Sequence, residues 1–543
     1  MSTFNHNSVI DYSRTHFHNP NIPKSIVLFK DNATHFGIFE IKIKDNILQD
    51  ISIQVPIHIF LSIDCSESMN DICNDGKTKL EHMKQTIKNI LSVLHKNKDT
   101  TFSIQAQTFN ENITKLELDL LLDLDVLLVQ IDELTANNST NIEIALRNAS
   151  EEIKNYKQKN PSYNITHIFL TDGEITEGIN DYNTLLSLVP TRCSNIFIGY
   201  GEEHDVNLLS HLASNRRTSE YRFIDKPENA GLVYGEIIHS IIYKAIEDVR
   251  IETEYGEIYD FLTNKWEREI NIGNLLMGQK KTFYIRSKYT NRFIISVIGK
   301  NMKNYTINKF LNNSNNYDIQ ATAFKHFDDI EPDLNAHMFR QKTQVLLYIS
   351  KEFSKIKKTR LNALSYEDEL NCVKSQLNMF YKILKHYINK INKNNNNRLK
   401  EFIDMLCDDI YIAYKSIGTT YGKMYTLSRQ LSNGLQQTYL CNPSIPISGI
   451  NFTPTELSSF MRFTDLQIQT QAQTQIQTQI QTQTQSPQIE YDIEKYIPSK
   501  IHISPYKTNE TLKLMREVSG NPNTNTNSFQ TKTLTIVKLE DLV

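Results

Sequence analysis

Asp64, Ser66 and Ser68 are spaced so that they could bind a hard divalent cation. They close and follow the apolar run at residues 55–64, which is typical of a strand covered on both faces. Mg2+ prefers about six oxygen ligands in octahedral geometry and gives up its water reluctantly. Two serine hydroxyls from one turn can supply two oxygens, while the Asp64 carboxylate holds a metal-bound water and balances charge. Alone, this D-x-S-x-S pattern has low specificity, because chains of ordinary composition match it by chance.

Two further segments carry the same kind of oxygen ligand. Thr140 lies in the polar run at 137–141, directly before an amphipathic helix predicted at 141–157. Asp172 follows a short buried strand predicted at 167–170. A second aspartate and a third hydroxyl are therefore available, provided that the fold brings the three segments together.

The elements predicted around these segments would place them at one edge of a sheet. Strand-like and helix-like stretches alternate about six times across residues 55–246, which predicts a doubly wound α/β domain. In such sheets, ligands bind beyond the carboxyl ends of the parallel strands. All three polar segments follow a predicted strand or precede a predicted helix, so we expect the two aspartates and three hydroxyls to meet at that edge.

The five residues resemble the metal-ion-dependent adhesion site of the von Willebrand factor A family, and the resemblance covers residues 55–246. Asp64, Ser66 and Ser68 match the family's D-x-S-x-S, Thr140 its threonine and Asp172 its aspartate. The resemblance implies that the hydroxyls coordinate Mg2+ or Mn2+ and that the aspartates act directly or through water. It also implies that a carboxylate of a protein partner takes the remaining position. Glu67 departs from the pattern, because many members have glycine there, and we expect it to alter the charge at the rim.

This resemblance implies a metal-dependent protein-binding protein and not an enzyme. Phosphotransferases of the haloacid-dehalogenase type also bind Mg2+ at an aspartate after the first strand, but they need a second carboxylate two residues later, where Ser66 stands. The sequence contains no P-loop, G-x-S-x-G or H-E-x-x-H motif. The alternatives are a non-catalytic scaffold in ubiquitin-linked or intein-associated machinery and a Mg2+-dependent phosphohydrolase.

The segments on either side of the α/β domain have the alternating pattern of antiparallel strands with one solvent-exposed face. We predict that residues 25–54 and 247–325 together form a β-sandwich, into which the α/β domain is inserted. Residues 1–24 are predicted to be a polar leader.

Residues 333–440 have helical periodicity and are predicted to form a helical bundle. Residues 421–425 and 428–437 resemble the helical segment that follows the A domain in intein-associated proteins of protists, fungi and large DNA viruses. The layout is also similar to viral proteins that combine this domain with a RING finger. Because the RING cysteines are missing here, ligase activity is not implied.

The rest of the chain has low predicted order. Residues 441–466 are predicted to be a loop. In residues 467–487, Gln alternates with Thr, Ile and Ala, a pattern that fits either a strand or a low-complexity linker, and we predict the linker. Residues 488–543 are a tail with one amphipathic stretch at 512–518.

Composition limits the partners and the compartment. The net charge is only -3, so nothing predicts a nucleic-acid partner or an anionic membrane. Six scattered cysteines without a CxxC pair disfavour a zinc finger and are typical of reduced thiols. The N-terminus lacks an apolar signal core. We therefore expect an intracellular, cytoplasmic protein, and the viral resemblance extends this to a host cytoplasm or a virion.

Glu174 and Glu177 follow Asp172 closely. They fit either a second cation site or a solvated acidic loop, and we predict the loop. His16 and His18 could chelate a metal, but they lie in the polar leader, and we predict no site there.

Overall fold

The structure is a computed structural model. It describes residues 55–301 apart from short gaps, residues 334–354 and 363–436 apart from short gaps, and isolated segments. These segments are 10–11, 35–42, 306–310, 320–323, 439–440, 491–496, 501–502 and 509–519. The gaps are 74, 98–100, 117, 119, 202–203, 215–218, 225–226, 228–229, 277–279, 288–293, 393–396 and 420–421. The predicted leader except for residues 10–11, the predicted loop 441–466 and the predicted linker 467–487 lie outside the described residues.

A six-stranded sheet forms the centre of the α/β domain. Its strand order is β5-β4-β3-β6-β7-β8, and every pair is parallel except β4 with β5. The strands are β3 (Ile57–Asp64), β4 (Phe102–Phe109), β5 (Ile113–Leu116), β6 (Asn164–Thr171), β7 (Ser194–Tyr200) and β8 (Ser219–Ile224). Every residue of β3 is buried, as its apolar sequence predicts.

Helices cover both faces of this sheet, as a doubly wound fold requires. They are α1 (Lys79–Lys96), α2 (Leu124–Asp132), α3 (Ile142–Lys159), α4 (Tyr182–Leu188), α5 (Val206–Leu212) and α6 (Ala230–Ile242). The apolar faces of α1, α2 and α6 share one core, and those of α3, α4 and α5 contribute to another. Thr78 and Glu81 form a capping box at the start of α1, and the Asn141 side chain caps α3. Helices α1 and α3, which follow the segments with Ser66 and Thr140, therefore begin at defined residues.

The strands of the two flanks form two antiparallel sheets. One has the order β1-β2-β13-β10-β11, with β16 also paired to β2, and the other has the order β12-β9-β14-β15. Their strands are β1 (Ile10–Asp11), β2 (His35–Lys42), β9 (Lys244–Glu254), β10 (Glu257–Asp260), β11 (Lys265–Glu267), β12 (Glu269–Leu276), β13 (Lys280–Ser287), β14 (Ile294–Asn301), β15 (Thr306–Phe310) and β16 (Gln320–Ala323). Apolar residues of both sheets share one core, and β2, which precedes the α/β domain, pairs with β13, which follows it.

Four helices follow these sheets. They are α7 (Leu334–Ser354), α8 (Ala363–Asn392), α9 (Asn397–Ser416) and α10 (Gly422–Leu435). Helix α10 contacts the α/β domain, the flanking sheets and the neighbouring helix α9. Tyr425 packs edge-on against Phe223 of β8, Gln430 donates to the Phe261 carbonyl at 2.7 Å, and Asn433 donates to Asp409 of α9. The segment that carries the second sequence resemblance is thus a buried junction.

A last helix, α11 (Asn509–Val518), packs on α6 and α1 of the α/β domain. The side chain of Leu514 and that of Val518 are part of the core shared with α6. Close approach depends on glycine, because a Cβ atom on Gly235 would lie 2.3 Å from the Met515 Cα. The remaining strands, β17 (Tyr439–Leu440) and β18 (Ile501–His502), pair with each other. None of the helices in the described residues is both long and apolar enough to cross a membrane.

Candidate metal centre

Asp64 is the last residue of the central strand β3, and its carboxylate is fully buried. Its Oδ1 accepts a hydrogen bond from the Ser66 backbone N–H at 2.9 Å. Its Oδ2 accepts one from the Thr171 hydroxyl at 2.5 Å. The turn after β3 therefore fixes Oδ1, and the last residue of β6 fixes Oδ2. The carboxylate lies at the base of the site.

The hydroxyls of Ser66 and Ser68 face each other, and that of Ser68 contacts Asp172. The two Oγ atoms are 3.2 Å apart, and the Ser68 hydroxyl donates to Asp172 Oδ1 at 2.7 Å. A one-turn 3-10 helix at Glu67–Asn70 makes this possible, because it curls the chain directly after Ser66. The parallel pairing of β3 with β6 brings Asp64 and Asp172 to the same sheet edge.

Thr140 reaches the same point from a third loop. A Cβ atom on Gly173 would lie 3.4 Å from the Ser68 Oγ and 3.6 Å from the Thr140 Oγ1, so these hydroxyls border one small space. Thr140 is only 4% exposed, and among the described residues its hydroxyl has no hydrogen-bond partner. The loop is fixed through its backbone, because the Thr140 N–H donates to the Thr176 hydroxyl at 2.7 Å.

Lys79 is a charged neighbour that the sequence analysis did not predict. Its Nζ lies 2.8 Å from Asp172 Oδ2 and 2.8 Å from Asp71 Oδ2. Burial lowers the pKa of Lys79, but the opposing charges of Asp172 and Asp71 outweigh this and raise it above its ordinary value. Lys79 therefore remains positively charged, and its ammonium fixes the side of the Asp172 carboxylate that faces α1.

Burial and the nearby Asp172 charge raise the pKa of Asp64 from 3.8 to about 6. The hydrogen bonds from Thr171 and Ser66 oppose that rise. Two buried carboxylates in contact with the same hydroxyl network repel each other, and among the described residues Lys79 is the one cation that pairs with either of them. A divalent cation between them would remove this repulsion, so the charge distribution of the site favours cation binding.

The residues present fit a hard divalent cation of the Mg2+ or Mn2+ type. Three hydroxyl oxygens and two carboxylates converge, which is the oxygen-rich set that such ions select. No group of three His, Cys, Asp or Glu side chains suited to a metal occurs in the described part of the chain. The present centre is of a different kind, because it combines two carboxylates with three hydroxyls. The chemistry of these donors and the Thr140 hydroxyl, which has no partner in the described part of the chain, together meet the requirements of the ion.

Comparison with known families gives an independent assignment of this domain. Residues 58–234 match the family model of the von Willebrand factor type A domain. The chain contains a von Willebrand factor type A domain. The matched range begins in β3 and ends in α6, so the domain includes every loop that contributes to the centre. The curated proteins give no match to this sequence.

Several solved structures are similar to the chain, all at low sequence identity. A von Willebrand factor type A protein from Catenulispora acidiphila is 12% identical, with 75% of this chain and 98% of that one covered and a TM-score of 0.44. Proximal thread matrix protein 1 from the mussel byssus, with a zinc-occupied MIDAS motif, is 15% identical over 37% and 50% of the two chains (TM-score 0.29). The manganese-loaded TRAP protein of Plasmodium vivax is 12% identical over 50% and 94% (TM-score 0.27).

The structure brings together all five residues that the sequence analysis selected. Three supporting residues were missed: Lys79, Thr171 and Thr176. A signal existed for two of them, because Thr171 directly precedes Asp172 and Lys79 opens the helix after the first ligand segment. Thr176 gave no signal, since its contact with Thr140 depends on how two loops fold against each other.

Proposed function

We propose that this chain binds a protein partner through a Mg2+ or Mn2+ ion held by its A domain. The residues that would hold the ion are Asp64, Ser66, Ser68, Thr140 and Asp172. The observation that carries the proposal is the small space at Gly173, bordered by the Ser68 and Thr140 hydroxyls at 3.4 and 3.6 Å from a Cβ position there. A carboxylate of the partner would complete the shell.

The balance of charges supports binding of an anionic group. Neutral hydroxyls from Ser66, Ser68 and Thr140 leave most of the charge of a divalent ion uncompensated. Asp64, whose oxygens accept hydrogen bonds from Ser66 and Thr171, would contribute a negative charge that favours the ion. Asp172 shares its charge with Lys79. A cation at this position therefore keeps a strong attraction for an Asp or Glu side chain that approaches from solvent.

The same contacts favour a binding role over phosphohydrolase chemistry. Phosphohydrolases with an aspartate nucleophile need a second carboxylate two residues later as the acid or base. Ser66 occupies the position where the second carboxylate would be needed. We therefore propose a protein that is not an enzyme. Metal-dependent release of phosphate by the purified chain would contradict this.

We propose that the two flanking sheets are one β-sandwich with the A domain inserted, as the pairing of β2 with β13 supports. A helical region of the intein-associated type, a viral or protist relationship and a scaffold role in ubiquitin-linked or intein-associated machinery rest on the sequence resemblance. An intracellular location rests on the scattered cysteines without a CxxC pair.

The test of partner binding uses the full chain as bait in an extract of its own cells. Retained proteins are compared between Mg2+ and chelator, and between wild type, the variant S66A/S68A and the control variant S187A/S210A. The control removes two hydroxyls that lie on helices α4 and α5. We expect one or more partners to be retained by wild type and control in Mg2+ only. A purified partner should then lose binding when its contacting Asp or Glu is changed to Asn or Gln. Retention unchanged by chelator and by S66A/S68A would contradict the proposal.

A further inference from the structure

Three glutamates from three different loops lie against the loop that carries Thr140. Glu67, Glu111 and Glu177 are all exposed, and each contacts the loop that carries Thr140. The Glu67 N–H donates to the Asn138 carbonyl at 3.0 Å. Asn138 Nδ2 donates to Glu111 Oε1 at 3.1 Å, and the Ser139 hydroxyl donates to Glu177. We call these three glutamates the acidic rim.

The acidic rim is not neutralised by the chain itself. In the part of the chain that the structure describes, none of the three glutamates forms an ion pair with a lysine, arginine or histidine. Lys79, the cation nearest the centre, is buried and engaged by Asp172 and Asp71. Among the described residues, the three rim glutamates contact only neutral amides, hydroxyls and backbone groups. The rim therefore keeps three negative charges at the surface.

A second observation, independent of the rim, indicates that a ligand binds here. Thr140 is only 4% exposed, its hydroxyl has no hydrogen-bond partner among the described residues, and it borders the space beside Gly173. Polar groups of side chains this buried are normally hydrogen-bonded, so this hydroxyl is available to a group that enters from outside. Its loop is also the loop that all three rim glutamates contact, which places the ligand position and the rim at one mouth.

We infer that the partner presents one Asp or Glu flanked by several Lys or Arg residues, on a basic protein surface. This inference rests on the proposed metal-dependent function and deepens it. A lone carboxylate approaching the cation meets repulsion from Glu67, Glu111 and Glu177, whereas flanking cations turn that repulsion into attraction. Such complementarity steers association and rejects acidic competitors. The cation would bind the partner's carboxylate, and the acidic rim would bind the Lys or Arg residues that flank it.

The test uses the full chain loaded with Mn2+ and three peptides of equal length. The first has a central aspartate flanked by four lysines, the second a central aspartate flanked by four glutamates, and the third a central asparagine flanked by four lysines. Displacement of Mn2+-bound water by each peptide is followed by water-proton relaxation up to millimolar concentration. We expect the first peptide to bind at least about ten-fold more tightly than the second at low ionic strength, with a smaller ratio in high salt. The third should displace no water.

Matched variants assign this preference to the rim. E67Q/E111Q/E177Q should weaken binding of the lysine-flanked aspartate by roughly five-fold or more. E151Q/E267Q/E401Q removes three exposed charges elsewhere and should leave it unchanged. If wild type holds no Mn2+, the proposed function fails. If it holds Mn2+ but binds no peptide, binds the glutamate-flanked peptide equally well, or responds alike to both triple variants, the basic-partner inference alone is overturned.

Discussion

The Lys79 ammonium lies 2.8 Å from the Asp172 Oδ2 at the edge of the A-domain sheet. The other oxygen of this fully buried carboxylate accepts the Ser68 hydroxyl at 2.7 Å. Asp172 thus has one oxygen fixed against α1 and the other turned toward the hydroxyls of the metal centre. Lys79 is therefore a positioning residue for Asp172, and its charge offsets that of the buried carboxylate.

Replacing Lys79 by methionine should make the metal-free protein less stable and more dependent on metal. K79M leaves the buried Asp172 without its ammonium, so we expect the free energy of unfolding in chelator to fall by roughly 2 to 4 kcal/mol. Mg2+ should restore more stability to K79M than to wild type, because the ion then offsets the carboxylate charge without competition. Chemical denaturation with and without Mg2+ measures both effects. K79R, which keeps the charge, is the control, and equal Mg2+ increments in K79M and wild type would contradict the role.

The raised pKa of Asp64 predicts a definite pH dependence. Its folded-state pKa of about 6 exceeds the ordinary 3.8, so the folded protein binds this proton more tightly than the unfolded chain does. The resulting stability is fully present below about pH 4 and is lost as the pH rises through 6. In chelator at pH 7, D64N should therefore be more stable than wild type by on the order of 2 to 3 kcal/mol.

This stability difference should disappear toward pH 4, because Asp64 is then protonated in wild type as well. Mg2+ affinity of wild type should fall as the pH drops below 6, since the ion needs the ionised carboxylate. Denaturation curves at several pH values, with and without Mg2+, measure both trends. A D64N variant that is less stable than wild type at pH 7 and gains stability from Mg2+ would refute this account of Asp64.

The sequence was sufficient to predict the five convergent residues because each follows a strand or precedes a helix of a recognisable fold. Strand ends at one edge of a parallel sheet must be neighbours, and this rule requires no knowledge of side-chain packing. Lys79 was not predicted, because its role depends on the rotation of α1 about its axis. The Thr176 contact depends on the mutual fit of two loops, which no local pattern encodes.

Two threonines at the site give a matched pair of substitutions, one expected to lower metal affinity and the other to lower stability. T140V removes a hydroxyl that has no partner among the described residues, so the free energy of unfolding in chelator should change by less than about 0.5 kcal/mol. Metal affinity should nevertheless fall at least about ten-fold. T171V removes the hydrogen bond to Asp64 and should lower stability by about 1 to 2 kcal/mol. Calorimetric titration and denaturation of both variants decide this, and a T140V variant with normal metal affinity would exclude Thr140 as a ligand.

Gly235 should be needed for the docking of α11 on α6. In a helix interior, Gly to Ala is ordinarily stabilising by about 1 kcal/mol. Here the added methyl would lie 2.3 Å from the Met515 Cα, so we expect G235A to destabilise the protein and to speed amide hydrogen exchange in α11. Exchange measured by mass spectrometry checks this. An increase in stability, with α11 still protected, would mean that the two helices are not in close contact.

The packing of α10 and α11 could not be predicted from sequence periodicity. The stretch 512–518 was recognisably amphipathic, but the helix that receives it lies about 270 positions earlier, and the close approach of the two helices depends on two glycines. Helix α10 carries buried polar residues on several sides, such as Arg429 paired with Asp409. Such residues are matched to partners on three different units, and only the folded chain specifies those partners.

Calorimetric titration of the full chain with Mn2+ and Mg2+, beside the S66A/S68A variant and the S187A/S210A control, decides whether these hydroxyls hold an ion. We expect one binding site per chain in wild type and control, and none in S66A/S68A. Equal binding by S66A/S68A, or no binding by a folded wild type, would contradict the claim that these hydroxyls and the two aspartates hold a divalent cation.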